Sequence, residues 1–350
     1  MANYRIRHFK WIMWVSILDG VGKYVFFWKK WIRKPKNLNR VLVIKLTDLG
    51  QALPVFPFVK HLKETNPDVE IDVLVTPDVC EVFQQFETVS HVNEMYAFNS
   101  RKGRRGFHFL ERLKMIFKLR KSKYDMIFDL CADVRASLFT SLLGGKYCVG
   151  FNDGGGGFLQ HHCVTPDQNW DFITRDLSVL SVFESQSYPS NLLSDLFFPV
   201  TDRSRCVIDH FLNRKHIKPH KYAVVHSGNN EDERILTVVD IKRALKASDW
   251  DKRHPILLVG TELDKPRLTM LAKQMQPDWS VEVVMTKSLH HLAALMNTSK
   301  LVISSDSGPM HLAGFLGVTV IPIYKDLGNK QINHKQIWFP YEETVDITAA

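Results

Sequence analysis

The sequence is poor in cysteine: 350 residues contain five, Cys80, Cys131, Cys148, Cys163 and Cys206, and no C-x-x-C pair. An odd count without paired spacing excludes a disulfide scaffold and a zinc ribbon. It suits buried free thiols in a reducing compartment. Long apolar runs are also missing. Trp11–Leu18 is far shorter than the roughly 20 residues a bilayer requires, and it lacks the small-residue cleavage site of a secretory leader. Ser307–Tyr324 has no Asp, Glu, Lys or Arg, but its glycines, prolines and histidine suit a buried helix followed by a buried strand. No internal repeat occurs, and no low-complexity tract beyond Gly154–Gly157. No G-x-G-x-x-G follows the first strand, so the dinucleotide fingerprint is absent. NDGGGG (152–157) reads instead as a flexible loop rimming a cleft.

What is present is the composition of a globular protein, 45% hydrophobic and 24% charged. At about 100–200 residues per domain the length suggests two domains. Lys and Arg outnumber Asp and Glu by 46 to 37, a net charge of +9, which implies an anionic partner. No nucleic-acid-binding module accompanies that charge, so a lipid surface or a phosphorylated substrate is the better expectation.

The first 39 residues interleave aromatic side chains such as Trp11, Trp14, Trp28 and Trp31 with basic ones such as Arg5, Lys23, Lys30 and Arg33. Two readings stand: a segment lying in a lipid headgroup layer, or a helix packed on the protein's own surface. From Arg40 onward the pattern alternates strand and helix. RVLVIKL, VEIDVLVT, YDMIFDL and KYCVGF read as buried strands, with helices between them. The alternation restarts after Lys218 with YAVVHSG, HPILLVG, VEVVM, KLVISSD and VTVIPIY. This predicts an α/β chain of two Rossmann-like domains facing across a cleft, at 40–205 and 206–350, with ligands at the carboxyl ends of the strands. RASLFTSLLGG should be a helix ended by a glycine.

Three constellations carry chemistry. In VISSDSGPMHLAGFLG a strand ends at Ser304–Ser305, Asp306, Ser307 and Gly308 form a turn, and Pro309 suits the first position of a helix. Free N–H groups at that helix start make a seat for phosphate, and His311 one turn in adds a donor. Simple helix capping is the alternative. Second, Arg101–Lys123 is a basic amphipathic stretch that includes Arg101, Arg104 and Arg105. It reads as a basic amphipathic helix that meets an anionic partner, or as a solvated face. Third, Asp48 and Gln51 follow the first strand, and Asp133 and Arg135 follow YDMIFDL. His290 and His291 are adjacent, so on a helix they diverge, and no metal site is expected.

The element Asp306, Ser307, Gly308, His311, Ala313, Gly317 resembles the D-[TS]-G-x-x-H-x-A-x-x-x-G motif of glycosyltransferase family 9, the ADP-heptose:lipopolysaccharide heptosyltransferases. VIKLTDLGQALPVFP is similar to the family's opening strand, L-G-D and helix. HSGNNEDERILT is similar to its middle element, with Arg234 in place of the usual Lys and Leu236–Thr237 in place of Trp-Pro. VGTELD is similar to the element whose acid, here Glu262, meets the nucleoside. The resemblance spans about Arg40–Tyr324.

It implies a GT-B fold and an inverting transferase that needs no metal or cofactor, with a nucleotide sugar held by Ser227, Gly228, Arg234, Glu262, Asp306, Ser307, Gly308 and His311. The acceptor, anionic inner-core lipopolysaccharide, would meet Arg101, Arg104, Arg105, Asp133 and Arg135. Work would proceed at the cytoplasmic face of the inner membrane. The family's expected base is the aspartate of L-G-D, and Gln51 stands there. An amide cannot take a proton at neutral pH, a loss of about 10²–10⁴-fold in rate. Asp48 or Asp133 would then serve. Otherwise the chain is a catalytically impaired GT-B protein, or it uses a different nucleotide sugar. An epimerase or oxidoreductase is a further alternative.

Overall fold

A computed structural model describes residues 9–98, 105–167, 170–183, 197–228 and 235–324. The chain divides into two units between Asp195 and Leu196. The first contains α1 (Phe9–Val25), a 3₁₀ turn at Phe27–Trp31, β1 (Arg40–Lys45), α2 (Leu49–Ala52), α3 (Val55–Thr65), β2 (Glu70–Val75), α4 (Pro77–Gln84), β3 (His91–Glu94), α5 (Arg105–Arg120), β4 (Met126–Asp129), α6 (Val134–Leu142), β5 (Tyr147–Phe151), β6 (His162–Val164) and α7 (Phe172–Ser178). Its sheet is parallel, in the order β3-β2-β1-β4-β5-β6. The second contains α8 (Asp202–Arg214), β7 (Ala223–His226), α9 (Val238–Ala247), β8 (Ile256–Gly260), α10 (Lys265–Met275), β9 (Val281–Met285), α11 (Leu289–Asn297), β10 (Leu301–Ser305), α12 (Gly308–Phe315) and β11 (Val320–Ile323). Its parallel order is β11-β10-β7-β8-β9.

Local chemistry sets the element ends. Pro54 has no N–H to continue α2, so the helical stretch after β1 breaks there into α2 and α3. Thr237 and Asp240 close a reciprocal capping box at α9. Gly144, at φ +72°, ends α6 as expected. Thr201 caps α8, which packs on α11 and therefore belongs wholly to the second unit. The strands carry continuous apolar runs because helices cover both faces. In the first unit Met115, Ile116 and Leu119 of α5 and Phe139 and Leu143 at α6 cover Leu42, Ile44 and Ile127. In the second, Ile241, Leu245, Leu268 and Met275 cover Val225, Leu258 and Ile303.

The glycine run is not a flexible rim. Gly154, Gly155 and Gly156 are buried. A Cβ on Gly154 would lie 1.9 Å from the Ala132 carbonyl oxygen, and Gly156 sits at φ +78°. The glycines are there because backbone packs on backbone. The N-terminal segment packs on this same loop. Asp19 accepts a hydrogen bond from the Gly156 N–H at 2.8 Å, and Lys29 Nζ donates to the Leu159 carbonyl at 2.8 Å.

Candidate functional site

In each sheet the connections change direction at one pair of neighbouring strands, and ligands of open α/β sheets bind beyond the carboxyl ends of such a pair. In the second unit the pair is β7 and β10, with Ser304 in register with His226. Beyond these ends lie Ser227 and Gly228 on one side, and Asp306, Ser307 and the start of α12 on the other. The Ser307 hydroxyl is 3.3 Å from His226 Nδ1 and donates to the Ser305 carbonyl at 3.0 Å. Ser307 occupies the N-cap position of α12, but its side chain makes no capping bond. Capping by the Ser307 side chain therefore does not account for this turn. With Pro309 in the first turn lacking an N–H and the Met310 N–H donating to the Ser307 carbonyl at 3.0 Å, the helix start presents the Gly308 N–H, which a phosphate oxygen can accept from.

Asp306 is buried beneath this turn. Tyr324, just after β11, has its phenol held well above the ordinary range by burial and then by the negative charge of Asp306. His311 is 5% exposed, and burial lowers its pKa to about 4. It is thus a neutral imidazole at physiological pH, a donor through one ring nitrogen and not a cation.

Arg267, on α10, ties the Gly228 turn in place. Its guanidinium donates to Ser227 Oγ at 2.6 Å, to the Gly228 carbonyl, and to Asp264 Oδ1 at 3.3 Å. Gly228 has φ +95°, a backbone conformation that favours glycine. Burial works to raise the Asp264 pKa, but hydrogen bonds from Thr261 and Arg267 prevail and hold it below the carboxylate norm. Sequence reading missed Arg267, because nothing in its spacing marks it out of a lysine- and arginine-rich stretch. Glu262 lies at the end of β8, the next strand, exposed and 3.7 Å from Lys265 Nζ.

The first unit's switch point is β1 and β4. Asp48 follows β1 as the N-cap of α2, exposed and with no side-chain capping bond. Its side chain is thus not tied to its own turn. Gln51 Oε1 accepts from Thr47 Oγ1 at 2.8 Å. Asp133 follows β4 and caps α6. Burial works to raise its pKa, but Arg135 outweighs that, donating from its backbone N–H at 2.8 Å and from Nε at 2.9 Å. The Asp133 carboxyl stays below its usual range, a weaker base for it. Under these turns, the buried Lys45 ammonium pairs with the buried Asp176 carboxylate of α7 and donates to the Leu130 carbonyl at 3.1 Å.

Arg101, Arg104 and Arg234 lie outside the described residues, and Arg105 opens α5 without a described side chain. Among the described residues, no three His, Cys, Asp or Glu side chains converge as a metal site.

Residues 243–348 match the model of glycosyltransferase family 9 (heptosyltransferase). Lipopolysaccharide heptosyltransferase 3 of Escherichia coli is 23% identical over 286 residues, 79% of this chain and 80% of that protein. Among solved structures, the family 9 glycosyl transferase from Veillonella parvula superposes with a TM-score of 0.69 at 18% identity, over 88% of this chain and 85% of that one. E. coli heptosyltransferase WaaC with ADP-2-deoxy-2-fluoro heptose gives 0.61 at 20% identity, over 84% and 91%. Two parallel α/β units with these neighbours make a GT-B fold.

Proposed function

We propose that the chain, whose residues 243–348 match the model of glycosyltransferase family 9, is a heptosyltransferase that moves heptose from ADP-heptose to an inner-core sugar of lipopolysaccharide. It is a glycosyltransferase of lipopolysaccharide core biosynthesis. The donor, the inversion at the anomeric carbon and the independence from metal are our reading. One observation supports it most: the β7/β10 switch point joins Ser227, Gly228, Asp306, Ser307 and the start of α12 at one strand end.

In this reading the diphosphate lies at the start of α12, and Glu262 faces the nucleoside. An acceptor hydroxyl oxygen attacks the anomeric carbon from the side opposite the ADP. The new C–O bond forms as the bond to the diphosphate breaks, and the hydroxyl proton passes to a carboxylate. Charge that grows on the departing ADP is stabilised by the Gly308 N–H, by the positive end of the α12 dipole and by Arg234, a term that is often the largest in such catalysis. No metal is needed for that neutralisation. Asp48 is the base we favour, being the exposed carboxylate at the β1 turn, whereas Asp133 is held by Arg135. In this reading the acceptor is anionic and membrane-anchored, and the work proceeds at the cytoplasmic face of the inner membrane.

One observation favours a second reading. Gln51 stands at the family's base position and its amide oxygen is engaged by Thr47, which suits an impaired protein that binds donor without transfer. Calorimetric titration with ADP-heptose, ADP and UDP-N-acetylglucosamine tests the donor. Tight binding of ADP-heptose that Gly308→Val weakens at least tenfold is expected. Equal affinity for the uridine sugar, or no effect of Gly308→Val, would overturn the assignment.

A further inference from the structure

The N-terminal segment has two faces of different chemistry. The inner face is built for contact with the first unit. Asp19 is the only acidic residue before Asp48, and it is buried on the Gly156 N–H. Gly22 lets α1 approach the Phe158 ring so closely that a Cβ there would lie 2.4 Å from it, and Phe26 packs on the same ring at 5.7 Å. The outer face is apolar and basic. Ile17, Val21 and Tyr24 follow helical spacing, and Tyr24 is 88% exposed. Trp28 and Trp31 of the 3₁₀ turn continue it, Trp31 at 78%. Lys23, Lys30, Arg33 and Lys34 are exposed beside them. With Asp19 turned inward, this segment has no acidic side chain on its outer face to offset that charge.

A chain of contacts leads from this face to a second one like it. Gly156, held by Asp19, packs on Val134 and Ser137 of α6. Leu138 and Leu142 of α6 are exposed, and the Leu142 carbonyl accepts from Arg120 at the end of α5 at 2.7 Å. On α5, Phe109, Leu110 and Phe117 are about 60% exposed among the exposed Lys114, Lys118 and Lys121. Isolated exposed apolar residues are ordinary, but a run of aromatic and aliphatic side chains edged by lysines and arginines is not.

We propose that α1, the 3₁₀ turn, the outer side of α6 and α5 form one docking surface for an anionic phospholipid bilayer. Aromatic rings seat at the headgroup level, and the lysines and arginines pair with lipid phosphates. The inner-face contacts hold α1 flat along the protein, so the surface is preformed in the folded unit. No helix among the described residues is long and apolar enough to cross a membrane. The inference deepens the membrane placement proposed above. Its test uses no sugar substrate, so it fails separately from the transferase reading.

The full chain is sedimented with vesicles of phosphatidylcholine alone and of phosphatidylcholine mixed with phosphatidylglycerol. Binding to the mixed vesicles, little binding to the neutral ones, and weakening with added salt are expected. Trp28→Ser/Trp31→Ser and Lys30→Glu/Arg33→Glu should each reduce partitioning at least about tenfold, at roughly fivefold per basic group removed from the surface. Phe117→Ser/Lys118→Glu on α5 should reduce it as well. All three alter exposed side chains, and an unchanged circular dichroism spectrum and melting temperature will verify folding. Equal binding to neutral vesicles overturns the proposal, as does partitioning that the N-terminal variants leave unchanged. An unaffected α5 variant overturns the single-surface claim. A concentration-dependent dimer in light scattering, abolished by Trp28→Ser/Trp31→Ser, would show that a second copy covers this face and would overturn the lipid assignment.

Discussion

Replacing His311 by Gln should change how the second unit's stability depends on pH, not only its level. Burial lowers the imidazole pKa from 6.5 to about 4. The folded state therefore resists protonation, while the unfolded chain takes up a proton near pH 6.5. A depressed pKa of this kind contributes stability that is present above pH 6.5 and lost as the pH falls toward 4. At 1.36 kcal/mol per unit, the loss over that window is about 3 kcal/mol. The side chain is almost fully buried, so solvent screening does not reduce it much. The gap between wild type and His311→Gln should thus narrow by about 3 kcal/mol from pH 7.5 to pH 4. Urea titrations read by hydrogen exchange in β7 and β10 report this unit alone, which matters in a two-unit chain. A gap that stays constant across the window would refute the desolvated-imidazole argument, and with it the neutral donor assigned to His311.

Asp129 should behave with the opposite sign. Full burial lifts its pKa to about 6 against hydrogen bonds from Cys131 and Ser137, so stability is lost as the pH rises from 3.8 through 6. Relative to Asp129→Asn, wild type should lose about 2.5 kcal/mol between pH 4 and pH 7.5, measured by exchange of the β4 amides. Lys45→Met should cost the first unit about 3–5 kcal/mol by stranding the Asp176 carboxylate, and adding Asp176→Leu should recover most of it in urea unfolding. Gly22→Ala should release the N-terminal segment from Phe158 and speed tryptic cleavage at Lys23 and Lys30. Gly20→Ala, where a Cβ meets open space, should slow it, because alanine favours the helix by about 1 kcal/mol.

The long apolar strands were legible because each is flanked by amphipathic helices and bounded by glycine, proline or an acid. KLVISSD and VTVIPIY, for example, became β10 and β11. The β3 and β6 strands were not. HVNE and HCV are short, and both lie at sheet edges, where one neighbour suffices and no apolar run is required. Helix α7 was missed although Asp171 caps it through Ile173 and Thr174, since its apolar pattern is only two turns long.

At the candidate site, the Asp306–Gly308 turn and the α12 start could be read from spacing alone, because strand end, glycine and proline are local signals. Arg267 could not, because its role rests on β7 and β8 being neighbours in the sheet. The glycine run misled for the same reason. Burial against Ala132 looks like flexibility until the β4 turn is beside it.

The central claim is transfer of heptose. Purified protein incubated with ADP-heptose and a set of truncated lipopolysaccharide cores, analysed by mass spectrometry, should add one heptosyl residue to one core and release ADP. Asp48→Asn should lower the rate about 10²–10⁴-fold while Asp133→Asn has the smaller effect. No addition to any core, with ADP-heptose bound, would contradict the claim and leave Gln51 as the mark of a protein that binds the donor without using it.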